Sequence, residues 1–371
     1  MQRRIATTDV GMMLAALLHS AWHSVPPELK LDASDVLTKV QRSLLQGGCA
    51  PLAWWRLRSV IDRDTNQAQE LRQAYYHFAI QAERSAERLA RAFDLFRQIG
   101  VEPVLVKGWS VARLYPEVGL RPYGDLDLCV RRDQFDKSSE LTGTPAGQQL
   151  QIDLHCEFAG LDEQPFDEIL ERTRVVELCG TSVRIPSPED SLRMICIHLL
   201  RHGAFRPIWL CDVGVLVESA DSGFNWDLCL SGARADWVIS TVAMAGHLVG
   251  ADLRDAPAEI RRKRLPQWLV RDVLEKWNSP SMRDQGATRH KAPIISYVRN
   301  RAGLIEDLRN RWVGPLEATI SVNGPLNNWP RLPFQLANAG LRAVRFAAKM
   351  PRLVRDEFGN RGSECRVLSS E

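Results

Sequence analysis

The 371-residue chain has no C-x-x-C pair, no internal repeat, no low-complexity tract and no apolar run long enough to span a membrane. The first absence excludes ribbon-type zinc sites and dithiol redox motifs. The absence of repeats excludes solenoids and propellers, and the last absence excludes a spanning helix, which needs roughly 18 or more consecutive apolar residues. Charge of one sign is lacking too: 48 Lys and Arg stand against 45 Asp and Glu, a net +3, which argues neither for nor against a nucleic-acid partner. Near the start, Arg3-Arg4 precede a short apolar run from Val10 to Leu18, with Asp9 interrupting the approach. A helix capped after Thr7-Thr8-Asp9 fits this better than a secretory leader, and a cytoplasmic protein is expected.

What is present is unevenly distributed. Residues 261–371 hold 21 basic and 10 acidic side chains, a local +11, which leaves the first 260 residues at −8. The basic third is either a wet face or a contact for an anionic partner, and the strip Arg342, Arg345, Lys349, Arg352 and Arg355 lies on one side of an expected amphipathic helix over Leu341–Asp356. The eight cysteines sit mostly within apolar runs and read as reduced core residues.

Periodicity divides the chain in three. Helical spacing runs to about residue 98, most clearly through Leu71, Ala82, Leu89, Phe93 and Phe96, and a helix is expected to end at Gly100. Short strands are expected at Val101–Val106, Asp125–Arg131 and Leu150–Phe158, with a hairpin around Cys179-Gly180 and a turn over Thr142–Gly147. Ser187-Pro188 then opens a largely helical remainder. The expectation is α+β: a helical region 1–98, a small mixed-sheet core 99–190, and a helical, basic region 191–371.

The most informative string is Arg121-Pro122-Tyr123-Gly124-Asp125-Leu126-Asp127-Leu128. Alternate residues of a strand share a face, so Asp125 and Asp127 are expected side by side, an arrangement that a hard dication such as Mg²⁺ relieves. Asp153, in Ile152-Asp153-Leu154-His155, supplies a third acid if its strand lies next to the first. Three converging carboxylates suit phosphoryl or nucleotidyl transfer assisted by two metal ions. Calcium loops and exposed strand edges also carry Asp-x-Asp.

These residues bear a resemblance. Val106-Lys107-Gly108, Leu114-Tyr115-Pro116, Gly119 to Leu128 and Ile152-Asp153-Leu154-His155 resemble the DNA polymerase β-like nucleotidyltransferase superfamily, and more closely its bacterial branch of uncharacterised nucleotidyltransferases. The resemblance implies Asp125, Asp127 and Asp153 as catalytic, metal-holding acids, two Mg²⁺ ions, an NTP such as ATP as co-substrate, and a hydroxyl acceptor. It extends weakly through His198–Gly203 and Trp209–Asp212. Where the superfamily places Gly-Ser or Gly-Gly, this chain has Lys107-Gly108-Trp109-Ser110, so nucleotide binding is expected to use Lys107, Gly108 and Ser110, with Arg121 and Asp212 beside them.

The bland readings are specific. Lys107 and Arg121 also serve as counter-ions for acids, Asp212 as a cap or salt-bridge partner, and His155 as a packing or orienting imidazole. His198 and His202, one helical turn apart, offer with Asp212 a phosphohydrolase-type metal site. A silent nucleotide-binding or scaffold module of the same fold is the alternative to an enzyme. A small metabolite or a protein is the preferred acceptor over RNA, because the core lacks a basic surface that tracks RNA.

Overall fold

The computed structural model describes residues 10–25, 27–29, 32–158, 161, 164–278, 312–345 and 348. The chain divides into two compact units, Met1–Arg289 and His290–Glu371. In the first, helices α1 (Val10–Leu18), α2 (Ala33–Gly47), α3 (Ala50–Leu57) and α4 (Asn66–Gln98) precede the sheet. Asp32 and Thr65 cap α2 and α4 through side-chain oxygens that accept from Asp35 N and Ala68 N.

The sheet contains β1 (Val104–Leu105), β2 (Leu126–Val130), β3 (Ile152–Cys156), β4 (Arg174–Leu178) and β5 (Thr181–Ile185), in the order β3-β2-β1-β5-β4. This is the expected α+β architecture, and β1, β2 and β3 are each shorter than their sequence patterns. β1 has two residues, because Pro103 has no N–H to give a ladder and the chain turns away at Lys107-Gly108. Between β1 and β2 stands α5 (Trp109–Ala112), a single turn. Between β2 and β3 stand α6 (Phe135–Gly143) and α7 (Pro145–Gln149). The turn expected over Thr142–Gly147 is thus partly a helix start, with Thr144 Oγ1 accepting from Gly147 N and Pro145 at its first position.

Leu126, Leu128 and Val130 point from one sheet face onto Leu89, Phe93 and Phe96 of α4, forming one core cluster. At roughly 1.5–3 kcal/mol per fully buried large apolar side chain, this packing is the main force seating the sheet on α4. Strand alternation then sends Asp127 and Cys129 to the other face, where Cys129 packs with Val104, Val106, Phe158 and Met194.

That second face meets α9 (Pro188–Arg201), which follows α8 (Phe166–Glu171) and the β4–β5 hairpin. Ser187 caps α9 by accepting from Asp190 N, as its sequence predicts. Then come α10 (Pro207–Glu218), α11 (Trp226–Cys229), α12 (Ala235–Val249), α13 (Ala258–Arg261) and α14 (Gln267–Asn278). Five cysteines are buried, whereas Cys156 and Cys179 are exposed, contrary to the core expectation; each sits at a strand end or turn. The second unit contains α15 (Pro315–Ser321), with Leu316, Ala318 and Ile320 buried, and a helix over 332–345. The basic strip beyond residue 345 lies outside the described residues. No helix among the described residues is long and apolar enough to cross a membrane.

Candidate functional site

The site is built on two strands that run parallel, with Asp127 opposite Asp153 and Cys129 opposite His155. Direct register partners share a face, so the two carboxylates are neighbours and His155 lies one alternation further along. Two ties flank the pairing: Leu126 N donates to Gln151 O at 3.2 Å, and Glu157 N donates to Val130 O at 2.9 Å. Gln151 and Glu157 both take left-handed conformations, with φ of 55° and 60°. Arg88 of α4 braces this end, donating to Gly124 O at 3.1 Å, to Ser85 Oγ at 2.8 Å and to the Gln151 side chain. Sequence reasoning missed Arg88, because nothing in its local pattern separates it from the other arginines of α4.

Four polar side chains converge. Lys107 Nζ lies 2.8 Å from Asp127 Oδ1, and His155 Nε2 lies 2.9 Å from the same oxygen and 3.3 Å from Asp153 Oδ2. Ligand atoms of Asp127, Asp153 and His155 all fall within 4.8 Å of one another, which suits a dication. Asp127 is sheltered, at 15% side-chain exposure, and Asp153 is open, at 57%. Burial opposes ionisation of Asp127, but the His155 hydrogen bond and the Lys107 charge outweigh it, so its carboxyl titrates below the ordinary 3.8. The resulting stabilisation is fully present above pH 3.8 and is lost as the pH falls through the lower folded value.

Asp125 lies just ahead of β2. β2 begins at Leu126, so alternation does not extend to Asp125, which is exposed and stands outside the group of three. Lys107 reaches Asp127 because Val106 N donates to Asp127 O at 3.1 Å, fixing the end of β1 against β2. Gly108, at φ 62° and ψ −113°, then swings the chain into α5, a backbone that side chains other than hydrogen disfavour. Ser110 is buried and its hydroxyl donates back to Lys107 O at 3.3 Å, stiffening this turn. Trp109 packs against the α4-side core.

Arg121 and Asp212, both expected beside the nucleotide, are paired with each other below the surface. Arg121 Nη2 donates to Asp212 Oδ2 at 2.8 Å and Nε to both oxygens at 3.2 Å, while Tyr115 Oη donates to Oδ1 at 2.9 Å. Asp212 has no exposed surface. These contacts fasten the loop before β2 to α10, which itself packs on α5. With Asp212 engaged there, it does not join His198 and His202 in a metal site.

His198 and His202 instead surround Trp209, with ring centroids 4.7 and 5.5 Å from it. Burial first, then the charge of Lys107, pushes the His198 imidazole down from 6.5 to about 3. The unfolded chain takes up a proton there that the folded chain refuses. Stability is therefore expected to fall as the pH drops below 6.5, by up to about 1 kcal/mol per pH unit from this group. Thermal melts on a descending pH series read the slope, and His198→Asn should flatten it.

A family model described as an uncharacterised nucleotidyltransferase matches residues 39–143 and, a second time, 144–249. Together these spans cover more than half of the chain. The chain belongs to this family. No curated protein and no solved structure matches it. The first matched span carries Lys107, Asp125 and Asp127, and the second carries Asp153, His155 and helices α9 and α10. The family thus reaches well past the short stretch that its motifs mark, from α2 to the end of α12.

Proposed function

We propose that this nucleotidyltransferase moves a nucleoside monophosphate from an NTP to a hydroxyl of an acceptor, releasing pyrophosphate. The observation that carries the reading is the in-register pair of Asp127 and Asp153 facing the Lys107 ammonium. The two carboxylates would hold a divalent cation, Mg²⁺ being the ion that carboxylates alone favour, and exposed Asp125 stands ready to serve a second ion. Such an ion supplies a charge that offsets what develops in line at the α-phosphate and lowers the pKa of the acceptor hydroxyl.

The chain's own groups do the rest. Lys107 leaves Asp127 for the phosphates, held in place by the Gly108 turn and the Ser110 hydrogen bond. Asp153, open to solvent, receives the acceptor proton as the new P–O bond forms and the bond to the leaving pyrophosphate breaks. Arg121 and Asp212 act through structure, holding the loop that leads into β2. The free cysteines support a reducing, cytoplasmic setting. A small metabolite or a protein hydroxyl remains the preferred acceptor.

The test is transfer of α-labelled NTP, each of the four in turn, with Mg²⁺ and acceptor sets of sugar-like metabolites, proteins and RNA ends. Label on an acceptor with pyrophosphate released supports the reading. One observation favours a silent binding module instead: Lys107 already occupies an Asp127 oxygen. Saturable NTP binding with no transfer across all three acceptor sets would establish that module. In either reading, Lys107→Met should weaken NTP binding about tenfold or more, since a charge-assisted contact contributes about 1.5–3 kcal/mol. Calorimetric titration measures it. The same change should tighten binding of the ion alone, because a competing cation is gone.

A further inference from the structure

We infer that His155 is a direct ligand of the divalent cation, and that it tunes the site towards first-row transition ions such as Mn²⁺ and Co²⁺ over Mg²⁺. The inference rests on the metal-dependent reading of the site and names the ion class that the site selects. Three acids were the expectation from the sequence, and the structure closes the third corner with a nitrogen. Asp125 is exposed ahead of β2, whereas His155 Nε2 points into the gap between Asp127 Oδ1 and Asp153 Oδ2 at 2.9 and 3.3 Å. Asp127 Oδ2 has no partner among the described residues, so an oxygen is open even while Lys107 and His155 share Oδ1.

The donor set is therefore two carboxylate oxygens and one imidazole nitrogen. Mg²⁺ is hard, favours oxygen donors and dehydrates reluctantly, so an imidazole in its shell adds little. Transition dications gain from nitrogen, and their affinity for a given mixed site climbs from Mn²⁺ through Co²⁺. His155 is placed for this by the fold. The parallel register sets it two residues beyond Asp153 on the same face, from which its Nε2 reaches Asp127 Oδ1 at 2.9 Å.

The experiment uses the full chain, first without nucleotide and then with a non-hydrolysable ATP analogue. Mn²⁺ binding is followed by electron spin resonance, with Mg²⁺ as competitor, and spin-echo modulation reports any coordinated nitrogen. The wild-type protein should show nitrogen modulation, and Mg²⁺ should displace Mn²⁺ only at about tenfold or greater excess over an equal-affinity competitor. His155→Ala should lose the modulation and weaken Mn²⁺ by about 10–100-fold while leaving Mg²⁺ affinity nearly unchanged. His155→Asp should rebuild an all-oxygen site at which Mg²⁺ competes on nearly equal terms.

Absence of nitrogen modulation in the wild type overturns the inference without recourse to any variant, as does an unchanged Mn²⁺ to Mg²⁺ ratio in a folded His155→Ala protein. Failure of both ions to bind, with and without a non-hydrolysable ATP analogue, overturns it as well. Because nothing here depends on turnover, a protein that binds Mn²⁺ through His155 yet transfers no label would separate this inference from the proposed reaction.

Discussion

Asp127→Asn should cut nucleotidyl transfer by on the order of 10³-fold or more while the protein stays folded. The side chain keeps its volume and loses the charge that draws a cation to the sheltered end of the site. The loss should fall mainly on kcat, because Lys107, released from its partner, remains available to the phosphates. The amide also removes the group that His155 and Lys107 jointly hold ionised. Steady-state kinetics on whichever acceptor accepts label, together with circular dichroism, decides this. A folded Asp127→Asn protein with full activity would remove the carboxylate pair from the mechanism.

The second large effect is on stability, away from the chemistry. Asp212→Ala should destabilise the first unit by about 3–5 kcal/mol, since it leaves the Arg121 guanidinium buried without a counter-charge and the Tyr115 hydroxyl without an acceptor. A shift in the urea midpoint measures the loss. Replacing Arg121 and Asp212 together by Leu should recover much of it, because two apolar side chains avoid the lone buried charge. If the single substitution leaves the midpoint where it was, the triad is not what fastens this loop to α10.

The contrast between these two aspartates shows what a linear pattern carries. Strand alternation around Asp127 and Asp153 was legible because apolar residues on the α4 side bracket each acid, and hydrophobic burial enforces that period. The α4 helix was legible for the same reason, through Leu89, Phe93 and Phe96. Asp125 lies one residue ahead of β2, where strand alternation no longer says which way its carboxylate points. Pairing direction was not readable at all: whether β3 runs with β2 depends on the crossover through α6 and α7. The Arg121–Asp212 pair joins residues 91 positions apart, so local spacing could not distinguish a buried counter-ion from a phosphate contact. His155 was visible as a neighbour of Asp153, but its approach to Asp127 follows from register alone.

Placing β3 at the outer edge of the sheet has an electrical consequence. Asp127 lies among packed groups where the local dielectric is low, while Asp153 faces bulk solvent, so the two acids of one site work in different media. Dissolved salt screens the exposed outer carboxylate more than the sheltered inner one, because burial weakens screening. A dication bound as proposed would be gripped unevenly, more firmly by Asp127 than by Asp153 as salt rises.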